Sequence, residues 1–252
     1  MRLNFKKYGE SGKVICIIHG IFGSLDNWHT VAKELSKEYI VYTLDMRNHG
    51  YSPHSDEMSV ELMAKDIQLF FEEQGLSKVH LLGHSMGGKV AMYFADKFHQ
   101  YLASLIVVDI APKDYKAGHH PYFRAYEEID LSSVKNRKEL DQAFSEYESN
   151  LGVRQFLMKN IVNKEGGYHL KINVSGIKKG YDEIIAGLDL GKIEVPTLFV
   201  AGANSNYITE EDRPTIESHF QNVDFVSIPN TGHWVHAENR SAFVQRVMEF
   251  LK

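Results

Sequence analysis

Short apolar runs alternate with stretches of helical periodicity along most of this 252-residue chain. A parallel sheet covered by helices on both faces produces that pattern, because its strands are buried on both sides. Strands are expected at Val14–Ile18, Ile40–Leu44, Val79–Leu82, Leu105–Ile110, Thr197–Ala201 and Phe225–Ile228, with an opening strand at Leu3–Tyr8. Helices are expected near Trp28–Leu35, Val60–Gln74, Gly88–Phe98, Glu210–Phe220 and Arg240–Leu251. Within Val60–Gln74, Met63, Ile67, Phe70 and Phe71 share a face opposite Lys65, Glu72 and Glu73, with Ser59 as N-cap and Gly75 as stop.

The alternation breaks between Ile110 and Val195. Roughly 80 residues there carry no buried-strand signal, and so long a segment between core strands is not expected to be structureless. Its aromatics, among them Tyr115, Tyr122, Phe123, Tyr126, Phe144, Tyr147 and Phe156, sit among charges. The expected organisation is a core from residues 1–112 and 193–252 with a helical cap inserted at 113–192.

One strand leads directly into Gly83-His84-Ser85-Met86-Gly87, and a helical pattern follows. A G-x-S-x-G turn between strand and helix exposes the serine hydroxyl on a strained backbone, and its flanks must be small because strand and helix approach closely there. Ser85 is therefore the candidate nucleophile. It needs a base, and thirteen histidines compete. His84 should point away from Ser85, His19 should brace its own loop, and His49 follows a strand. His99, His119, His120 and His169 fall on or near expected surface helices. His233 lies in Asn230-Thr231-Gly232-His233-Trp234, just after the last strand, where a loop at the carboxyl end of a sheet can reach a ligand site. Gly232 is expected to supply the bend, and His236 is the rival base.

A carboxylate must orient that base. The chain order nucleophile, acid, base asks for one between Ser85 and His233 at the end of a strand. Asp109 meets the condition; the alternative reading is a carboxylate that caps or braces its loop. The other natural slot, after Thr197–Ala201, holds Ser205 and no acid until Glu210. Oxyanion donors are expected from the Met86 amide and from the loop His19-Gly20-Ile21-Phe22-Gly23, through Ile21 or, next to it, Phe22. The turn Asp45–Ser52 reads as structural support for that loop.

A formal charge of −5 gives no reason to expect nucleic acid or an anionic membrane as partner. The start Met1-Arg2-Leu3-Asn4-Phe5-Lys6-Lys7 lacks a secretory apolar region, and no run reaches 18 apolar residues, so a cytoplasmic setting without a membrane span is expected. The single cysteine, Cys16, sits in an apolar run and reads as a buried inert thiol. No Cys/His spacing suggests a metal, and no G-x-G-x-x-G follows a strand, so no cofactor is expected. Oligomeric state is not legible.

Taken together, these segments resemble the α/β-hydrolase superfamily over essentially the whole chain. As a set, His19–Asn27, Asp45–Gly50, Gly83–Lys89, Val108–Pro112, Asn204-Ser205 and Gly232–Glu238 resemble the YbfF-type esterases, relatives of the abhydrolase-domain-11 proteins. The resemblance implies a mostly parallel sheet with an inserted cap, and hydrolysis of short-chain esters or acyl-CoA thioesters. It also implies an acid at Asp109 and a serine at Ser205 completing a tetrad. The cap matches least distinctly. Two other functions fit the same scaffold: a lyase resembling the menaquinone-pathway enzyme that eliminates pyruvate, and a non-catalytic ligand receptor. The lyases place their acid where this chain has Ser205.

Overall fold

The computed structural model describes residues 1–164 and 166–252. The first half of the chain runs β1 (Phe5–Tyr8), β2 (Val14–Ile18), α1 (His29–Leu35), β3 (Ile40–Leu44), α2 (Val60–Glu73), β4 (Val79–His84), α3 (Met86–Lys97) and β5 (Leu102–Val108). It continues through α4 (His120–Glu128), α5 (Arg137–Phe144), α6 (Leu151–Met158), β6 (Ile161–Lys164), β7 (Gly167–Leu170), α7 (Val174–Lys179) and α8 (Tyr181–Ile185). The last part is β8 (Thr197–Gly202), α9 (Arg213–His219), β9 (Val223–Ile228), α10 (Val235–Glu238) and α11 (Arg240–Leu251).

Seven strands form one sheet in the order β1-β3-β2-β4-β5-β8-β9. Only β1 is antiparallel to its neighbour; the rest pair in parallel. Successive side chains of a strand face opposite sides, and the core divides accordingly. Ile15 and Ile17 of β2 join Leu82, Ile106, Trp28, Phe243 and Val247 on the face covered by α1 and α11. Cys16 and Ile18 join Leu81, Leu105, Ile67, Phe71 and Phe94 on the face covered by α2 and α3. Burial pushes the Cys16 thiol far above its ordinary pKa, which leaves it protonated and inert.

Local sequence explains how α2 begins and ends. Ser59 Oγ accepts from the Leu62 amide at 3.0 Å. Gly75 takes a left-handed φ of 62°, and the Gly75 and Leu76 amides donate to Glu72 and Phe71 carbonyls, closing the helix with glycine just past its end.

Several boundaries shift from expectation by a few residues, and three departures bear on the site. Helix α3 starts at Met86 rather than Gly88, so Ser85 sits immediately before its first turn. Strand β5 stops at Val108; Asp109 turns out of the sheet with φ 50°, although its amide still donates to Val200 O at 2.8 Å. The insertion between β5 and β8 is not wholly helical. It contains an antiparallel hairpin, β6–β7, whose half-exposed residues give no continuous apolar run by which the sequence could have announced it.

Candidate active site

Ser85 occupies the turn between β4 and α3 with φ 52° and ψ −120°, a conformation that a non-glycine residue adopts only when its surroundings enforce it. The surroundings do so from both sides. The Ser85 amide donates to Val108 O at 3.0 Å on the sheet side, and the Gly88 and Lys89 amides donate back to Ser85 O at 2.8 and 3.1 Å. A Cβ on Gly83 would lie 2.1 Å from Gly87 O, and one on Gly87 would lie 2.6 Å from His19 O. Serine at a helix N-cap ordinarily bonds an amide of the first turn; here the Ser85 side chain makes no such bond, which leaves its hydroxyl for other work.

His233 and Asp109, 124 residues apart, are brought together by the adjacent ends of β9, β8 and β5. His233 Nδ1 lies 2.8 Å from Asp109 Oδ2. Asp109 is fully buried, and its Oδ1 accepts from the Gly202 amide at 2.9 Å. Ser205 Oγ donates to the same Oδ2 at 2.5 Å, and accepts from the Tyr207 amide at 3.2 Å. The serine thus acts on the carboxylate and not on the imidazole. The carboxylate occupies the place after β5, and the slot after β8 supplies it with an extra donor. With Nδ1 engaged, the imidazole holds one tautomer and keeps Nε2 for another partner.

The bend that delivers His233 is made elsewhere than expected. Asn230, not Gly232, takes the left-handed conformation, with φ 60°. Around Gly232 the requirement falls on Gly202, where an added Cβ would sit 2.1 Å from Gly232 O.

The loop after β2 supplies the other wall. His19 Nε2 accepts from the Met46 amide at 3.0 Å, and His49 Nε2 accepts from the Phe22 amide at 3.2 Å. Burial lowers both histidines, His19 to about 4 and His49 to about 3, so both stay neutral acceptors. The turn Asp45–Ser52 therefore braces this loop. The same contact corrects one expectation: the Phe22 N–H is committed to His49, so Phe22 does not serve as an oxyanion donor. Asn160, in the insertion, donates to Phe22 O at 2.7 Å and so fixes the other side of that peptide.

Ser85 and His233 line one cavity of about 490 Å³, together with Ile21, Phe22, Trp28 and Tyr207. His84 lines it too, its ring 4.7 Å from that of His233 and its Nε2 2.8 Å from His233 O. His236, the rival base, is stacked on Trp28 at 4.0 Å and 14° and is lowered to about 3 by burial, then by the charge of His233. His119 is not a bystander on a surface helix: it borders the cavity at the start of α4.

Tyr207 and the contacts of Lys89 escaped the sequence reading. The Tyr207 ring stacks on His233 at 3.8 Å, and the buried Lys89 ammonium donates to three carbonyls of the insertion, Lys113, Ile185 and Ala186. No local motif marks Tyr207; Lys89 could have been noticed as a lone charge on an otherwise apolar face of α3.

Comparison with known proteins agrees with this fold. Residues 13–240 match the family model described as the alpha/beta hydrolase fold. Esterase YbfF of Escherichia coli is 32% identical over 100% of this chain and 99% of its own. A zebrafish (Danio rerio) protein named sn-1-specific diacylglycerol lipase ABHD11 is 34% identical over 98% of this chain and 81% of its own. A solved structure titled marine microorganism esterase superposes with a TM-score of 0.96 at 43% identity, covering 99% of both chains. With a mostly parallel seven-stranded sheet, a strained serine at the end of β4 and relatives of this similarity along its length, the chain belongs to the α/β-hydrolase family.

Proposed function

We propose that the chain is a serine esterase that cleaves carboxylic esters or acyl thioesters, acyl-CoA among the latter, through an acyl-enzyme. The observation that carries this reading is the hydrogen bond at 2.8 Å between buried Asp109 and half-buried His233, which borders the same cavity as the strained Ser85. The E. coli relative is named an esterase and the zebrafish relative a diacylglycerol lipase, and both names concern acyl–oxygen bonds.

In this mechanism Ser85 Oγ bonds to the substrate carbonyl carbon while its proton passes to His233 Nε2. The Ile21 and Met86 amides hold the oxyanion, a task worth about 3 kcal/mol of barrier for each donor. The bond to the leaving oxygen or sulfur then breaks, and His233 returns the proton to that atom, leaving acyl-Ser85. Water gives a proton to His233 and bonds to the acyl carbon. The acid departs as Ser85 Oγ recovers the proton. Asp109 holds the imidazole in register and offsets its charge, and Ser205 stabilises Asp109. Residues 113–192 act as the cap over this cavity, consistent with Asn160 reaching Phe22 and Lys89 reaching the carbonyls of the insertion. A lyase is disfavoured because Ser205 brings no charge to the slot where those enzymes carry their acid.

The test is covalent labelling with a fluorophosphonate and turnover of p-nitrophenyl acetate. Ser85 should be the labelled residue, and Ser85→Ala should lose both labelling and turnover while keeping the wild-type melting temperature. Labelling elsewhere, or unchanged turnover in Ser85→Ala, would overturn the proposal.

A further inference from the structure

The cavity of about 490 Å³ beside Ser85 adjoins a smaller one of about 60 Å³. Four residues border both and so mark the neck between them: Ile21, Ser85, His119 and Tyr207. Ile21 brings an apolar side chain, and Tyr207 lays its ring on His233. His119 is the polar side chain that remains, and no step of the proposed mechanism uses it.

The state of the His119 ring follows from a count of donors and acceptors. Tyr181 is buried, and burial raises its phenol, so the hydroxyl keeps its proton. Tyr181 Oη accepts from the Gly118 and His119 amides, each at 3.1 Å, which fills both acceptor positions of a hydroxyl. Its single proton is left for His119 Nδ1, 2.7 Å away, so Nδ1 is the acceptor of that bond. Burial, then the charges of His233 and His120, lowers His119 to about 4. The ring is therefore neutral and carries its one proton on Nε2.

That N–H has no partner among the described residues, and it is not one of the unpaired side-chain atoms sealed in the interior, such as His80 Nε2 or His236 Nδ1. It faces open space, which for His119 includes the neck beside Ser85. The donor is also held in place. His119 is the N-cap of α4, and its carbonyl accepts from the Tyr122 and Phe123 amides at 3.0 and 3.2 Å. The rings of Phe22 and Tyr122 flank the imidazole at 6.0 and 5.8 Å. An N–H fixed in this way loses little entropy when an acceptor reaches it.

We infer that His119 Nε2–H is a substrate-recognition donor, and that the enzyme selects esters whose acyl group carries a neutral acceptor oxygen within two carbons of the scissile carbonyl, such as 3-oxo acyl esters, over plain alkyl esters of the same length. The position and charge of the donor give the chemistry. The acyl group stays bonded to Ser85 after the leaving group departs, so a donor at the neck acts on it in both halves of the reaction. The imidazole has a proton to share and no charge, so a ketone or hydroxyl oxygen satisfies it without a carboxylate. The inference rests on the reading of Ser85 as nucleophile.

Methyl acetoacetate and methyl butanoate share a leaving group and a chain length and differ by one ketone oxygen, so the ratio of their kcat/KM values tests the assignment. In the wild type this ratio should exceed the ratio of their uncatalysed hydrolysis rates at the same pH by about fivefold or more. His119→Asn keeps an acceptor for Tyr181 but ends short of the Nε2 position, and should lower the ratio by about five- to tenfold, the loss of one neutral hydrogen bond. His119→Gln, whose amide nitrogen reaches that position, should restore most of it. A purely structural role for His119 would slow both esters together and leave the ratio unchanged. That outcome in an active, Ser85-labelled enzyme overturns the assignment alone, as does a His119→Gln ratio as low as that of His119→Asn. If neither variant folds, the wild-type ratio decides: equality with the uncatalysed ratio overturns the assignment. Absence of both ester turnover and Ser85 labelling overturns the hydrolase reading and this assignment with it.

Discussion

The Tyr207 ring lies flat on the His233 imidazole, with centroids 3.8 Å apart and planes 20° apart. Asp109 fixes one edge of the imidazole by a hydrogen bond, and Tyr207 restricts rotation about that bond by covering a face. The contact is made by the ring and not by the phenol oxygen. Tyr207→Phe should therefore keep kcat within about twofold, whereas Tyr207→Ala should lower it about tenfold or more by letting His233 leave the orientation that the proposed mechanism needs. Steady-state kinetics on one short ester compares the two. Equal activity of the alanine and phenylalanine variants would remove the positioning role.

Asp109 Oδ2 has two hydrogen-bond partners, His233 and Ser205, of which the proposed mechanism uses only His233 in the proton relay. Asp109→Asn should lower kcat by about 10⁴-fold, because an amide can present the wrong partner to Nδ1 and carries no charge to offset the imidazolium. Ser205→Ala removes a donor to the carboxylate and leaves the His233 bond in place, so about a tenfold loss is expected. The ordering of these two variants is the measurement that matters. A Ser205→Ala loss as large as that of Asp109→Asn would mean that the hydroxyl is part of the relay.

Gly83 and Gly118 provide a contrast for testing the packing around the Ser85 turn. A Cβ at Gly83 would meet Gly87 O at 2.1 Å and Gly87 C at 2.5 Å, and both are backbone atoms that can move only with α3. Gly83→Ala should destabilise the fold by more than about 3 kcal/mol or prevent soluble expression. At Gly118 the nearest atom to an added Cβ is Lys116 O, 4.0 Å away. Gly118→Ala should change stability by less than about 0.5 kcal/mol. Urea denaturation of both variants checks the contrast.

His19 and His49 link the loop after β2 to acid stability. Both are neutral acceptors in the fold, lowered from the ordinary 6.5 to about 4 and about 3 by burial. The unfolded chain therefore binds their protons first as the pH falls. Their contribution is complete above about pH 6.5 and is lost as the pH drops through about 4 for His19 and about 3 for His49, at a slope of up to about 1.4 kcal/mol per pH unit for each. Unfolding free energies measured at about pH 7.5 and about pH 5 should fall accordingly, and His19→Gln should reduce the difference by removing one titrating group. A pH-independent stability across that interval would show that these rings are not held neutral.

Sequence alone carried the features that depend on neighbours along the chain. The apolar runs marked the core strands because parallel strands are buried on both faces. Ser59 and Gly75 marked the ends of α2 because caps are local. Gly83 to Gly87 marked the serine turn because strand, turn and helix are consecutive there. Asp109 and Ser205 could be nominated from their places after strands and from the family resemblance. That Ser205 donates to Asp109, and not to His233, was visible only once β5, β8 and β9 lay side by side.

What the tertiary structure decided has one physical cause: the partner of each polar group comes from a loop distant in sequence. Ile21 and Phe22 looked alike as donors until His49, 27 residues beyond Phe22, claimed one amide. Gly232 looked like the hinge until the close approach of Gly202 accounted for the crowding there and Asn230 took the left-handed turn. The β6–β7 hairpin has too little buried surface to leave a periodic signal. The cavity beside Ser85 is bounded by residues as far apart as His19 and Glu238, and periodicity cannot encode a volume enclosed by separate elements.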